Sequence, residues 1–171
     1  MQNAIKGKDG IKRYMVSITV NGDEYTRVIK ANTLLVNFLR EELDLTGTKK
    51  GCEMGDCGSC TVLLNGKPVD SCMVLAVEVD GQEITTIEGV ASVDSMDTIQ
   101  DEFIKNGGLQ CGYCTPGMIL SAKALLAKNP KPTEQEVREV IAGNLCRCTG
   151  YVLIVKSILA ASGQEMTTYY E

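Results

Sequence analysis

Hydrophobic and polar residues alternate over YMVSITV, residues 14–20, which is the period-2 pattern of a strand with one buried face. Asn21-Gly22 and then YTRVI follow, so two strands joined by a tight turn are predicted here. Over LLVNFLREEL, residues 34–43, the period lengthens. Leu34, Leu35, Phe38 and Leu39 share one face of a predicted helix, with Thr33 placed to cap it. TVLL (61–64) runs into a second Asn-Gly pair at Asn65-Gly66. VLAVEV (74–79) and EITTI (83–87), separated by a turn at Asp80-Gly81, complete the strand candidates. Residues 14 to about 88 thus predict a small sheet packed on one helix.

The second half changes character. Residues 97–105, 116–128, 133–142 and 151–160 carry helical periodicity with few strand signals. Pro116 suits a first helical turn, and Thr133 with Glu136 forms a capping-box signature. Asn129-Pro130-Lys131-Pro132 breaks the chain between two helices. The fold class is therefore α+β. The expected division is an N-terminal extension at 1–13, a sheet-rich domain at 14–90 and a helical domain at 91–171, with the boundary in GVASVDS (89–95).

The chain has 171 residues, 44% of them apolar, enough for two small cores. Its 17 basic and 22 acidic residues leave a net charge of −5, which argues against a nucleic-acid partner. No apolar run reaches the roughly 20 residues that span a bilayer. MQNAIKGKDGIKRYM has neither a signal-peptide apolar stretch nor a twin arginine, so a cytoplasmic location is expected.

Eight cysteines and no histidine change the picture most. In a reducing compartment thiols point to metal or redox chemistry rather than to disulfides. The absence of histidine removes Cys/His zinc fingers, Rieske centres, His-ligated haem and every mechanism with a histidine base.

Each half carries four cysteines. CEMGDCGSC (52–60) concentrates three where only Met54 is apolar, a poor setting for buried structural thiols. With Cys72, the set Cys52, Cys57, Cys60, Cys72 reads C-x4-C-x2-C-x11-C, and its opening is the plant-type 2Fe–2S spacing. Gly51, Gly55 and Gly58 would let the backbone wrap an anionic cluster and aim N–H groups at its sulfurs. A zinc site is the competing reading, although zinc prefers paired C-x2-C knuckles. Cys111, Cys114, Cys146 and Cys148 read C-x2-C-x31-C-x1-C. Three assignments are open for them: a second 2Fe–2S cluster, a four-cysteine zinc site, or a thioredoxin-like CGYC pair at a helix N-terminus. The last leaves Cys146 and Cys148 without a role. Tyr113 and the stripe Met118, Leu125, Leu126 read as core packing, and Glu134, Glu136 and Glu139 as a solvated helix face. Glu41 and Glu42 are adjacent and diverge around a helix, so they form no acid/base pair.

TGTKKGCEMGDCGSCTVLLNGKPVDSC, LQCGYCTPGMILSAKALL and NLCRCTGY, in this order, resemble the small iron–sulfur subunit of the molybdenum hydroxylases. That group comprises the xanthine dehydrogenases, aldehyde oxidoreductases and carbon monoxide dehydrogenases, and the likeness spans residues 14 to about 160. The resemblance implies an N-terminal β-grasp ferredoxin-like domain with one 2Fe–2S cluster on Cys52, Cys57, Cys60 and Cys72. A C-terminal four-helix domain would hold a second on Cys111, Cys114, Cys146 and Cys148. It further implies a large molybdopterin-binding catalytic subunit, usually an FAD-binding medium subunit, and a role in electron transfer without catalysis by this chain alone. The positions matching Gln110 and Cys148 lie against the pterin in the family, and the helical-domain cluster is expected to be the more buried of the two, lying between the partner's cofactor and the ferredoxin-like domain. Ser59 departs from the alanine most common in the family. A free-standing ferredoxin and a zinc-bound interaction module are the alternatives from other classes.

Overall fold

The alternating stretch becomes the longest strand of a six-stranded mixed sheet in the computed structural model, which describes residues 5–7, 10–92 and 94–166. Strand β2 (Lys12–Val20) pairs antiparallel with β3 (Asp23–Lys30). Asn21 and Gly22 between them both take positive φ, 54° and 91°, as the hairpin turn that matches strand twist requires. Along its other edge β2 receives β1 (Ile5–Lys6) at its start and β6 (Glu83–Thr85), in parallel, at its end. A second Asn-Gly hairpin joins β4 (Thr61–Leu64) to β5 (Lys67–Asp70), and β4 also pairs antiparallel with β6. Val16, Ile18 and Val20 point inward onto Leu35, Phe38, Leu39, Val62 and Ile84. Each such fully buried side chain contributes about 1.5–3 kcal/mol.

Two local expectations are overturned. The helix expected over 34–43 is one α turn, α1 (Leu35–Asn37), continued by a π-helical segment Phe38–Glu42. Thr33 does not cap it. The cap position falls at Leu34, which is extended and bridges Leu75, and the Leu35 N–H donates to the Val74 carbonyl at 2.8 Å. A neighbouring segment thus supplies what a capping side chain would have supplied. VLAVEV is not a strand either. Beyond the bridge at Leu75 it forms a 3-10 turn, Ala76–Val79. Ala76 and Val79 are both buried, and a turn of three residues places them on one face, whereas a strand would point them to opposite faces.

The second half folds as expected into four helices: α2 (Thr98–Lys105), α3 (Thr115–Lys128), α4 (Glu134–Ile141) and α5 (Val152–Ala161). Asp97 with Gln100 caps α2, and Thr133 with Glu136 caps α4. Ile99, Phe103, Met118, Val137, Ile154 and Ile158 form a second core, separate from that of the sheet, with Leu125 and Leu126 packed on its edge. Helix α3 also packs on β4 and β5, which brings the cysteine loops of the two halves side by side.

Candidate metal centres

The first cysteine loop is fastened before it reaches its thiols. The Arg40 guanidinium donates to the carbonyls of Thr46 and Thr48, both at 2.8 Å, and the Lys49 N–H donates to the Ser59 carbonyl at 3.2 Å. The loop then turns tightly, with Glu53 at φ 57° and Gly58 at φ 65°. This aims backbone N–H groups inward at sulfur. Met54 and Asp56 donate to the Cys52 Sγ at 3.5 and 3.3 Å, and Cys52 donates to the Cys57 Sγ at 3.4 Å. A Cβ at residue 51 would stand 2.7 Å from the Cys57 Sγ, so only glycine fits there. On the other side, Ser71 ties the remaining two cysteines together by donating its N–H and hydroxyl to the Cys60 carbonyl, at 3.3 and 2.6 Å.

The four thiols differ in exposure. Cys60 and Cys72 are buried, while Cys52 and Cys57 are half-buried. Burial, with Cys72 alongside, pushes the Cys60 thiol up to about 12. The N–H groups of Met54 and Asp56 instead lower Cys52 to about 7. A nest of N–H donors on one side and a dry pair on the other is what an anionic cluster with thiolate ligands requires.

In the second quartet the close contacts run between loops. Cys111 and Cys148, both exposed, approach to 3.5 Å between Sγ atoms. Cys114 and Cys146 are buried together, and burial followed by the neighbouring Cys146 raises Cys114 to about 12. Burial also pushes Cys146 up, but the Thr149 hydroxyl, 3.1 Å from its Sγ, and nearby N–H groups bring it below its ordinary value. Two thiolates on one tetrahedral metal at about 2.3 Å stand about 3.8 Å apart, close to the Cys111–Cys148 separation. The thiols stand in pairs, which fits two irons better than one zinc. The cross-loop pairing also disfavours a CGYC redox pair, since Cys111 meets Cys148.

Tyr151 shapes this end of the molecule. It precedes α5 at φ 70°, and its hydroxyl accepts the Cys146 N–H at 2.8 Å. Gln110 is exposed beside Cys111. Cys111 and Cys148 face outward at the open end of the helices.

Tyr113 corrects another expectation. It is 47% exposed rather than core, and its hydroxyl donates to the Lys50 carbonyl at 2.5 Å, reaching from one cysteine loop to the other. Asn144 and Leu145 do the same from the other side, with the Leu145 N–H donating to the Cys57 carbonyl at 2.9 Å. Nothing in the periodicity marks these residues. The sequence signal they share is that each lies one or two positions from a cysteine.

Residues 18–91 match the family described as the 2Fe-2S iron-sulfur cluster binding domain, and residues 86–159 match the [2Fe-2S] binding domain. The chain is similar to the nicotinate dehydrogenase small FeS subunit of Eubacterium barkeri, 47% identical over 144 residues, 84% of this chain and 92% of that one. It is also similar to the xanthine dehydrogenase iron-sulfur-binding subunit of Escherichia coli O157:H7, 44% identical over 146 residues, 84% and 91% of the two chains. Among solved structures it resembles quinoline 2-oxidoreductase from Pseudomonas putida 86, with a TM-score of 0.86, 45% identity and coverage of 88% and 94%.

Proposed function

The chain belongs to the small iron–sulfur subunits of the molybdenum hydroxylases, and from that membership we propose the route by which it carries electrons. Cys111, Cys114, Cys146 and Cys148 hold the cluster nearer the molybdenum cofactor of a large partner subunit. Cys52, Cys57, Cys60 and Cys72 hold the cluster nearer FAD, on a medium subunit, or another acceptor. A 2Fe–2S cluster, when bound, takes up and releases one electron at a time. The observation that carries the reading is the grouping of each quartet into thiol pairs, with N–H donors aimed at Cys52 and Cys57.

The chain's own part is to hold that charge steady. Met54 and Asp56 offer N–H groups to the sulfur where negative charge accumulates, and their backbone is already oriented, so little reorganises on reduction. Gln110 and Cys148 sit on the exposed end beside Cys111, which supports a pterin contact there. The Gln110 amide can both donate to and accept from the edge of a heterocycle. The two separate cores support a division into a ferredoxin-like domain at 14–90 and a helical domain at 91–171. Among the described residues no helix is long and apolar enough to cross a membrane. A free-standing ferredoxin is disfavoured by the helical half with its own quartet.

The test is metal analysis of the purified complex. About four iron and four sulfide per chain are expected, with two EPR signals on partial reduction. Zinc in place of iron, in a colourless protein, overturns the reading.

A further inference from the structure

Asn144 is a polar side chain only 3% exposed, and every polar atom it has is used. Its Nδ2 donates to the Gly58 carbonyl at 2.8 Å and to the Thr61 hydroxyl at 3.1 Å. Its Oδ1 accepts from the Ser121 hydroxyl at 2.8 Å. Gly58 lies between Cys57 and Cys60, Asn144 lies two residues before Cys146, and Ser121 is on α3. One amide therefore joins both cysteine loops to the helix between them. The backbones it joins are already in contact. A Cβ at Gly58 would collide with the Gly143 carbonyl oxygen, and one at Gly117 would collide with the Gly58 carbonyl oxygen. The Leu145 N–H continues the seam to the Cys57 carbonyl.

We propose that Asn144 is a positioning residue that sets the separation of the two clusters, by clamping the Cys57–Cys60 loop to the Cys146–Cys148 loop. This rests on the reading that both quartets hold clusters. A covalent linker alone would leave two domains free to sway, since separate cores joined by a short connection move by default. The buried amide removes that freedom where it matters, within a residue or two of a ligand in each domain. Asn is suited to the task because its NH2 group donates to both the Gly58 carbonyl and the Thr61 hydroxyl while its oxygen accepts from Ser121.

The experiment uses the assembled complex with Asn144→Asp, which preserves volume but turns an oxygen toward the Gly58 carbonyl. Each cluster's own EPR g-values and about four iron per chain are expected to persist. The magnetic splitting between the two reduced clusters is expected to shrink. Amide exchange at Thr61 and Leu145 should rise about tenfold, equivalent to 1.4 kcal/mol. Exchange across Ile154–Leu159 in the helical core should hold, because only the seam opens. Ser121→Ala removes one of the three bonds, so the same pattern is expected at smaller size. Parent-like splitting and exchange in Asn144→Asp overturn the clamp, as does a uniform rise across both cores. If Asn144→Asp fails to load, Ser121→Ala decides, reduced splitting supporting the clamp and parent splitting overturning it. A parent complex without clusters overturns the functional reading, and the clamp with it.

Discussion

The backbone N–H of Cys146 donates to the hydroxyl of Tyr151 across 2.8 Å, and Tyr151 reaches that position from the left-handed region, at φ 70°. A bulky residue is strained there, and such strain persists only where surrounding contacts hold it. The hydroxyl occupies the N–H of a ligand residue, which its removal leaves free beside the sulfurs. Tyr151→Phe is therefore expected to raise the reduction potential of the helical-domain cluster, because a freed N–H stabilises the reduced, more negative form. Redox titration followed by EPR checks this. The ferredoxin-like cluster should keep its potential, and an unchanged helical cluster would remove Tyr151 from this role.

Gly58 and Gly66 form a matched pair. Both take positive φ, 65° and 76°, but a Cβ at Gly66 meets nothing within 4 Å, whereas one at Gly58 meets the Gly143 carbonyl. Gly66→Ala should cost only its backbone strain, about 1–2 kcal/mol. Gly58→Ala adds overpacking at the seam, for about 2–5 kcal/mol in all. Equal shifts in thermal melting would mean that the two cysteine loops are not interlocked.

Cys57→Ser should remove the first cluster and spare the second, although the loops touch. The Leu145 N–H bonds to the carbonyl of residue 57, which serine retains, and the other bonds across the seam use Lys50, Gly58 and Thr61. Iron should fall to about two per chain with the helical-domain EPR signal intact. Cys148→Ser should give the converse. Loss of both signals in either variant would make the two quartets one cooperative unit.

The cap of α4 supplies a pH dependence. The N–H and hydroxyl of Thr133 donate to Glu136 at 2.7 and 2.9 Å and hold its carboxyl below the ordinary 4.5. Because the folded value is depressed, the charged cap contributes fully above pH 4.5 and is lost as pH falls through the folded value. Melting of the parent and Glu136→Gln across pH should show a gap at neutrality that closes on acidification. A gap that widened below pH 4.5 would contradict the assigned sign.

Gln110→Ala should leave cluster content unchanged and slow electron transfer from the reduced molybdenum centre to the clusters more than it slows that centre's reduction by substrate. Stopped-flow spectra separate the two steps. An unchanged transfer to the clusters would take Gln110 off the route.

Features that depend on near neighbours in the chain could be read from the residues alone. Asn21-Gly22 and Asn65-Gly66 specify their turns because the left-handed backbone they adopt is local. Four helices were legible from apolar spacing and from the Thr133–Glu136 cap. The Cys52–Cys60 spacing is a local pattern and suggested a cluster loop, spacing left the second four cysteines open, and the likeness of three motifs in order identified the family. Short apolar runs were ambiguous. VLAVEV satisfies strand and 3-10 spacing alike, and what chose between them was a core that needed Ala76 and Val79 on one side.

Which thiols meet was settled by packing. Cys111 and Cys148 are 37 residues apart, and their 3.5 Å contact exists because the loops that lead into α3 and α5 meet at one end of the helical core. Packing also made Tyr113 a strut rather than core, and held Asn144 on three sides. Each of those partners comes from a different segment, and a chain read in one dimension carries no measure of the distance between segments that folding brings together.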